Sequence, residues 1–271
     1  MRGAPLSEEF RGRARDMIAG RLAPVPARDA ATVVVLRDGL EVYLLRRKAS
    51  MAFAAGAYVF PGGSVDARDT DRTVAWAGPS PAEWAMILRS DEKTARGLVC
   101  AAVRETFEES GVLLAGPGPD SVVADTTGEV FEADRLALIG RTLSFADFLA
   151  KHGLVLRSDL LRGWGHWITP EVEFKRFDTR FFVAVLPEGQ RARDVGGEAD
   201  KVVWISPAEA VVQGESGRIF LMPPTYRTLS ELVPYTRAAD VFAADRTIVT
   251  YMPEVADVGG ELRLIIPEDA R

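Results

Sequence analysis

The sequence has one cysteine, Cys100, and two histidines, His152 and His166, in 271 residues. A single thiol excludes an intramolecular disulfide and a thiolate metal cluster, and it fits a reducing compartment. Two histidines without ligand spacing give little basis for imidazole metal chemistry. Long apolar runs are also absent. The longest, "ATVVVL" and "FFVAVL", have strand length and fall far short of the roughly 20 residues of a membrane-spanning helix. The N-terminal "MRGAPLSEEFRGRARD" lacks the apolar segment of a signal peptide. The C-terminal "PEDAR" matches neither a peroxisomal nor an ER address. Strong charge bias is missing too: 33 Lys and Arg against 39 Asp and Glu leave a net charge of −6. That argues against a broad basic surface for nucleic acid or anionic membrane. The expectation is a cytoplasmic protein with neither partner. An anionic ligand would have to be met by a few placed arginines or a metal.

What is present is enough length for a substantial core. Two β-rich runs, 30–37 and 41–47, flank "DG", a strong hairpin signal. "AYVFPGG" (57–63) reads as a short strand running into a glycine turn. Residues 64–93 begin polar, pass a "GPSP" breaker and turn helical at "PAEWAMILRS", the pattern of an inserted helical flap. Thr94 is placed to cap a helix running to about Ser110, which Gly111 would end in the left-handed conformation. Its apolar side would hold Ala95, Leu98, Val99, Ala102, Val103 and Thr106. A second helical and loop insertion is expected over about 116–165. Residues 176–187 form the best central strand, and 206–214 a helix with Ser206 as N-cap and Pro207 at its first position. An extension follows from about 225 to 271. The expected class is α+β, a mixed sheet between helices in an α/β/α sandwich, built as one domain over 1–271.

The chemistry concentrates in "RETFEESGV", Arg104–Val112. Glu105, Glu108 and Glu109 are spaced i, i+3, i+4, so they share one helix face, where like charges repel by about 0.2–0.5 kcal/mol per pair. Many such runs are solvated surface. A divalent cation is the alternative, because Mg²⁺ prefers hard oxygen ligands and combines a few carboxylates with water and substrate phosphates. Glu105 and Glu109 could grip one ion, Glu108 could bridge a second or orient a water, and Arg104 could brace a carboxylate through its fork.

Together with "FPGG" ahead of it, this stretch resembles the Nudix hydrolase superfamily. The family's box is a glycine, five residues, a glutamate, seven residues, then Arg-Glu, an aliphatic residue, any residue, Glu-Glu, any residue, a glycine and an aliphatic residue. Thr106 stands at the first aliphatic position. The box is interrupted: Gly63 precedes Arg104 by 41 positions instead of 14, an excess of 27, and Arg96 stands where the outer glutamate belongs. Asp66, Asp91 and Glu92 are its candidate replacements. An interrupted box, with "GAYVFPGGSVD", "GHWITPE", "KRFDTRFFVAVLP", "WISPAEA" and "LMPPT", resembles the nucleoside diphosphate-linked moiety X motif 19 subgroup over roughly 30–235. The resemblance implies metal-dependent cleavage of a pyrophosphate in a nucleoside diphosphate derivative, with Mg²⁺ or Mn²⁺. It implies CoA or acyl-CoA as substrate, with ADP-ribose or NADH as alternatives and a catalytically silent nucleotide sensor as the rival of another class. It assigns Glu105 and Glu109 as main metal ligands, Glu108 as further ligand or water orienter, the Gly62 carbonyl to the metal, and Arg104 to position Glu105. Glu198 becomes the candidate loop carboxylate, as ligand or base. A homodimer is also expected.

For the substrate phosphates, Arg47 and Arg180 are the candidates among Arg46, Arg47, Arg176 and Arg180, with Gly63 in the loop beneath. Strand alternation puts Arg176 and Asp178 on one face and Phe177 and Thr179 on the other. His166 is expected to be a structural hydrogen-bonding residue, His152 a surface residue near a helix end, and Cys100, Trp164, Trp167 and Trp204 core.

Overall fold

The computed structural model describes residues 4–5, 7–50, 54–194 and 199–266. In chain order, β1 (Ala4–Pro5) and α1 (Glu8–Ile18) precede the hairpin β2 (Arg28–Arg37) and β3 (Glu41–Arg47). Next come β4 (Ala57–Val59), β5 (Gly62–Ser64), a 3-10 turn (Ala67–Thr70), β6 (Trp76–Ala77), α2 (Pro81–Leu88) and the long α3 (Glu92–Ser110). The middle holds β7 (Ala115–Gly116), α4 (Glu129–Ile139), α5 (Phe145–Lys151), β8 (Val155–Arg157), β9 (Arg162–Ile168) and β10 (Phe177–Val185). The remainder holds β11 (Ala199–Ile205), α6 (Pro207–Glu215), β12 (Phe220–Leu221), α7 (Pro223–Leu232), α8 (Ala238–Phe242), β13 (Thr250–Tyr251), β14 (Glu254–Val258) and β15 (Glu261–Ile265).

The main sheet runs β12-β4-β3-β2-β10-β9-β13, with β11 on β3 and β5 on β2. It is mixed, as expected: β10 lies parallel to β2 and antiparallel to β9. Period-2 alternation separates two cores. Ala31, Val33 and Val35 of β2 and Phe182 of β10 face α3 and α5. Val34, Leu36, Phe181 and Val183 face the side of α6, α7 and α8. This is the helix–sheet–helix sandwich that the sequence predicts.

Two local expectations need correction. Asp91, not Thr94, is the N-cap of α3: its carboxylate accepts the Thr94 N–H at 2.9 Å. Asp is a strong N-cap residue, and it lies three positions upstream of Thr94. The helix then ends where expected, with Gly111 at φ 73°. The segment around α2, expected as an inserted helical flap, is packed down on the core. Trp84 and Leu88 are buried in the main core, and Trp84 meets Phe182 edge-on with centroids 5.6 Å apart. The apolar residues of "PAEWAMIL" are spent on packing, worth roughly 1.5–3 kcal/mol per large side chain.

Candidate active site

α3 is buried around most of its circumference through Ala95–Val103, so the protein lies on nearly every side of it. Thr106 survives in this setting because its hydroxyl donates to the Ala102 carbonyl at 2.7 Å. Past Val103 the helix carries its acidic residues into a cleft of about 1520 Å³. Arg104, Glu105, Glu108 and Glu109 line it together with Gly62, Gly63 and Ser64 of β5.

Arg104 organises the cluster with its whole fork. Nε and Nη2 grip the Asp69 carboxylate at 3.0 and 2.9 Å, and Nη1 donates to Glu105 at 2.7 Å and to Glu108 at 3.1 Å. Nη2 also donates to the Ser64 carbonyl at 3.1 Å. Glu109 is fixed differently: its carboxylate accepts the Gly62 N–H at 2.9 Å. That N–H is the contact the structure shows for Gly62, where the sequence reading assigned its carbonyl. Gly63 matters by being small. A Cβ there would lie 2.5 Å from the Glu105 carboxylate, so glycine lets that carboxylate keep its place against β5.

Asp69 is the functional residue that sequence reasoning missed. It is 2% exposed. Asp66, Asp91 and Glu92 were the candidates for the outer carboxylate, and none of them binds Arg104. Asp66 instead caps the 3-10 turn and pairs with Arg68, and Asp91 caps α3. The missed signal is the spacing itself, because five residues separate Gly63 from Asp69. The extra residues therefore fall between Asp69 and Arg104, 34 in place of seven.

Three carboxylates share one guanidinium in a place that water reaches poorly. Burial raises Glu105 to about 7, with Glu108 pushing the same way and Arg104 opposing. Burial raises Glu108 as well, again against Arg104. Such a surplus of hard oxygen donors at the end of a cleft fits a divalent cation. Among the described residues no group of three or more His, Cys, Asp or Glu side chains is arranged to hold a metal ion.

The remaining candidates divide. Arg47 lines the cleft. Arg180 does not, and this corrects its placement as a phosphate ligand. It shares the parity of Asp178, while the cleft takes Phe177, Thr179 and Phe181. Its guanidinium is bound to Asp178 and His166, and Nε donates to the Leu88 carbonyl at 3.2 Å. His166 is structural, as expected, held by Thr250 at 2.7 Å and Asp178 at 2.6 Å. Arg46 pairs with Asp200, and Arg176 donates to the Thr169 and Val25 carbonyls. Glu198 lies outside the described residues. Cys100 is fully buried, which pushes its thiol well up and makes it inert. His152 ends α5 as expected but is largely covered, stacked on Phe131 at 4.5 Å and bound to Asp134 at 2.7 Å. Trp164 and Trp167 are core; Trp167 also lines the cleft and stacks on Tyr251 at 4.8 Å. Trp204 is partly buried at the edge of the core.

Residues 91–232, more than half of the chain, match the NUDT19 Nudix domain. The chain belongs to this family. Within the match lie α3 with Arg104, Glu105, Glu108 and Glu109, and also β9, β10 and α7; Asp69 and the Gly62–Ser64 strand precede it. Similar proteins include the acyl-coenzyme A diphosphatase NUDT19 of Xenopus laevis, 25% identical over 84% of this chain and 70% of that one. The human protein of that name is 29% identical over 75% of this chain and 63% of its own length. The chain thus spans roughly two thirds of these curated relatives. The crystal structure of a NUDIX hydrolase from Alicyclobacillus acidocaldarius superposes with a TM-score of 0.71 and 28% identity, covering 82% of this chain and 98% of that one. The Nudix fold expected from the box is therefore the fold observed.

Proposed function

We propose that this Nudix protein is a divalent-cation-dependent pyrophosphohydrolase acting on CoA or acyl-CoA. The observation that carries the reading is the carboxylate surplus around Arg104 at the end of the cleft. Support for the substrate comes from the names of the NUDT19 relatives and from the size of the cleft, which exceeds the 300–1,000 Å³ usual for drug-sized ligands.

Glu105 and Glu109 would hold the cation, Mg²⁺ or Mn²⁺, with Glu108 as a further ligand or water orienter. When bound, the cation neutralises phosphate charge and acidifies water. The chain's own part is positioning. Arg104 fixes Glu105 and Glu108, Asp69 fixes Arg104, and the Gly62 N–H fixes Glu109. Glu198 is proposed as the further carboxylate, either a cation ligand or the base that takes the proton of the attacking water. The water oxygen bonds to one phosphorus and the bridging P–O bond breaks. The bridging oxygen leaves with the other phosphate, giving 3′,5′-ADP and (acyl-)phosphopantetheine.

The test is product identification by mass spectrometry with CoA, acetyl-CoA, a long-chain acyl-CoA, ADP-ribose and NADH, each with Mg²⁺ or Mn²⁺ and a Glu109→Gln control. We expect 3′,5′-ADP from the CoA compounds and a silent control. AMP from ADP-ribose or NADH alone would overturn the substrate. No cleavage with either metal would overturn the activity in favour of a nucleotide sensor.

A further inference from the structure

The cleft extends beyond its acidic residues. Arg28, Ala30 and Thr32 line it at alternate positions of β2, and Phe177, Thr179 and Phe181 line it on the adjoining β10. The two strands run parallel with Arg28 beside Phe177, and the Lys175 ammonium lies 5.1 Å from the centre of the Phe177 ring. Arg28 and Lys175 thus stand together on one wall, both exposed.

Most other cations of the cleft are spent. Arg104, Arg68 and Arg227 are held by Asp69, Asp66 and Glu231, and Arg47 is engaged as well. Neither Arg28 nor Lys175 has an ion-pair partner among the described residues. Glu173 lies nearby and also lines the cleft, but burial raises its carboxyl, and the cation acting on it is Arg13. Arg141 also lacks an ion pair among the described residues, yet it sits on the turn after α4, beside Arg68. The wall of β2 and β10 therefore has a pair of cations with no carboxylate assigned to them.

Their distance from the acidic end is informative. Gly62, which binds Glu109, is in register with Thr32. Arg28 lies four residues further along the strand, about 13 Å at 3.3 Å per residue. In CoA the 3′-phosphorus is six bonds from the nearer diphosphate phosphorus, a span of about 7 Å, and an arginine or lysine side chain covers about 6 Å more. A diphosphate at α3 with its adenosine along β2 brings the 3′-phosphate within reach of Arg28, with Lys175 on Phe177 beside it.

We propose that Arg28 and Lys175 form a subsite for the ribose 3′-phosphate, with Phe177 as its floor. The subsite rests on the CoA reading and deepens it, because ADP-ribose and NADH lack this phosphate. Charge-assisted contacts to a phosphate from two cations are strong enough to discriminate, and exposed ones weaken with salt.

The test uses binding, so it does not depend on turnover. Affinities of 3′,5′-ADP and 5′-AMP, which differ only in the 3′-phosphate, are measured by calorimetry on the full chain at low and high salt. We expect wild type to prefer 3′,5′-ADP by about tenfold or more, a preference that shrinks with salt. Arg28→Ala with Lys175→Ala should abolish it, leave 5′-AMP affinity unchanged and leave the unfolding midpoint near wild type, since both side chains are exposed. The proposal is overturned if wild type shows no preference, if the double variant keeps it, or if Arg141→Ala removes it instead. Loss of the preference in the double variant of a protein that cleaves no CoA would uphold the subsite and sink the reaction.

Discussion

Two buried arginines, Arg104 and Arg180, invite the same reading and deserve opposite ones. Their side chains are 11% and 7% exposed, and each grips an aspartate. Arg180 sits in a closed account of charge: Asp178 balances it, and His166 and the Leu88 carbonyl complete its contacts. Arg104 is shared among Asp69, Glu105 and Glu108, and its cluster lines the cleft. Burial alone does not mark a site. Charge left over after the protein's own pairing, at a surface a ligand can reach, does.

The comparison can be broken most sharply at the surplus itself. Glu105→Gln or Glu109→Gln should cut kcat/KM at least about a thousandfold under saturating Mg²⁺ or Mn²⁺, because a lost cation ligand removes several kcal/mol of transition-state stabilisation. Arg180→Met should do the reverse. Leaving Asp178 without its cation should cost roughly 3–5 kcal/mol in denaturant unfolding, while the folded fraction keeps its kcat. Between these lies Gly63→Ala. The added Cβ displaces a carboxylate, not backbone, so stability should change little, while kcat falls about a hundredfold from the misplaced Glu105.

The most gradual effect is in pH. Glu105 ordinarily titrates near 4.5 and is raised to about 7 by burial. Between those values the folded, metal-free protein holds a proton that the unfolded chain has released. Its stability therefore falls as pH rises through that window and flattens above it, by at most about 3 kcal/mol. Cation affinity should rise through the same window, by no more than about tenfold per unit, because binding displaces that proton. Unfolding midpoints with and without Mg²⁺ across pH 5–8 check both signs.

Much of this was legible in the sequence where one residue decides the structure. Asp38-Gly39 closes the β2–β3 hairpin with Gly39 at φ 81°, and Gly111 ends α3. The parity of β10 was legible too, placing Arg180 with Arg176 and Asp178; which of the two faces meets the cleft was not. The role of Asp69 was legible only in its five-residue spacing from Gly63; its pairing with Arg104, 35 positions on, was not. Proximity to Arg104 depends on the 3-10 turn folding back across α3, where Gly97 leaves room for Val65. No local pattern encodes that return. The packing of Trp84 was hidden for the same reason, since a short helix after a breaker reads alike whether it covers a core or hangs free.

The central claim is that the α3 carboxylates are a cation site. Calorimetric titration of Mg²⁺ and Mn²⁺ into metal-free protein at pH 8 tests it without any substrate. Wild type should bind the cation, and binding should be lost in Glu109→Gln and in Glu105→Gln, with both variants folded. Equal binding by wild type and both variants would contradict it.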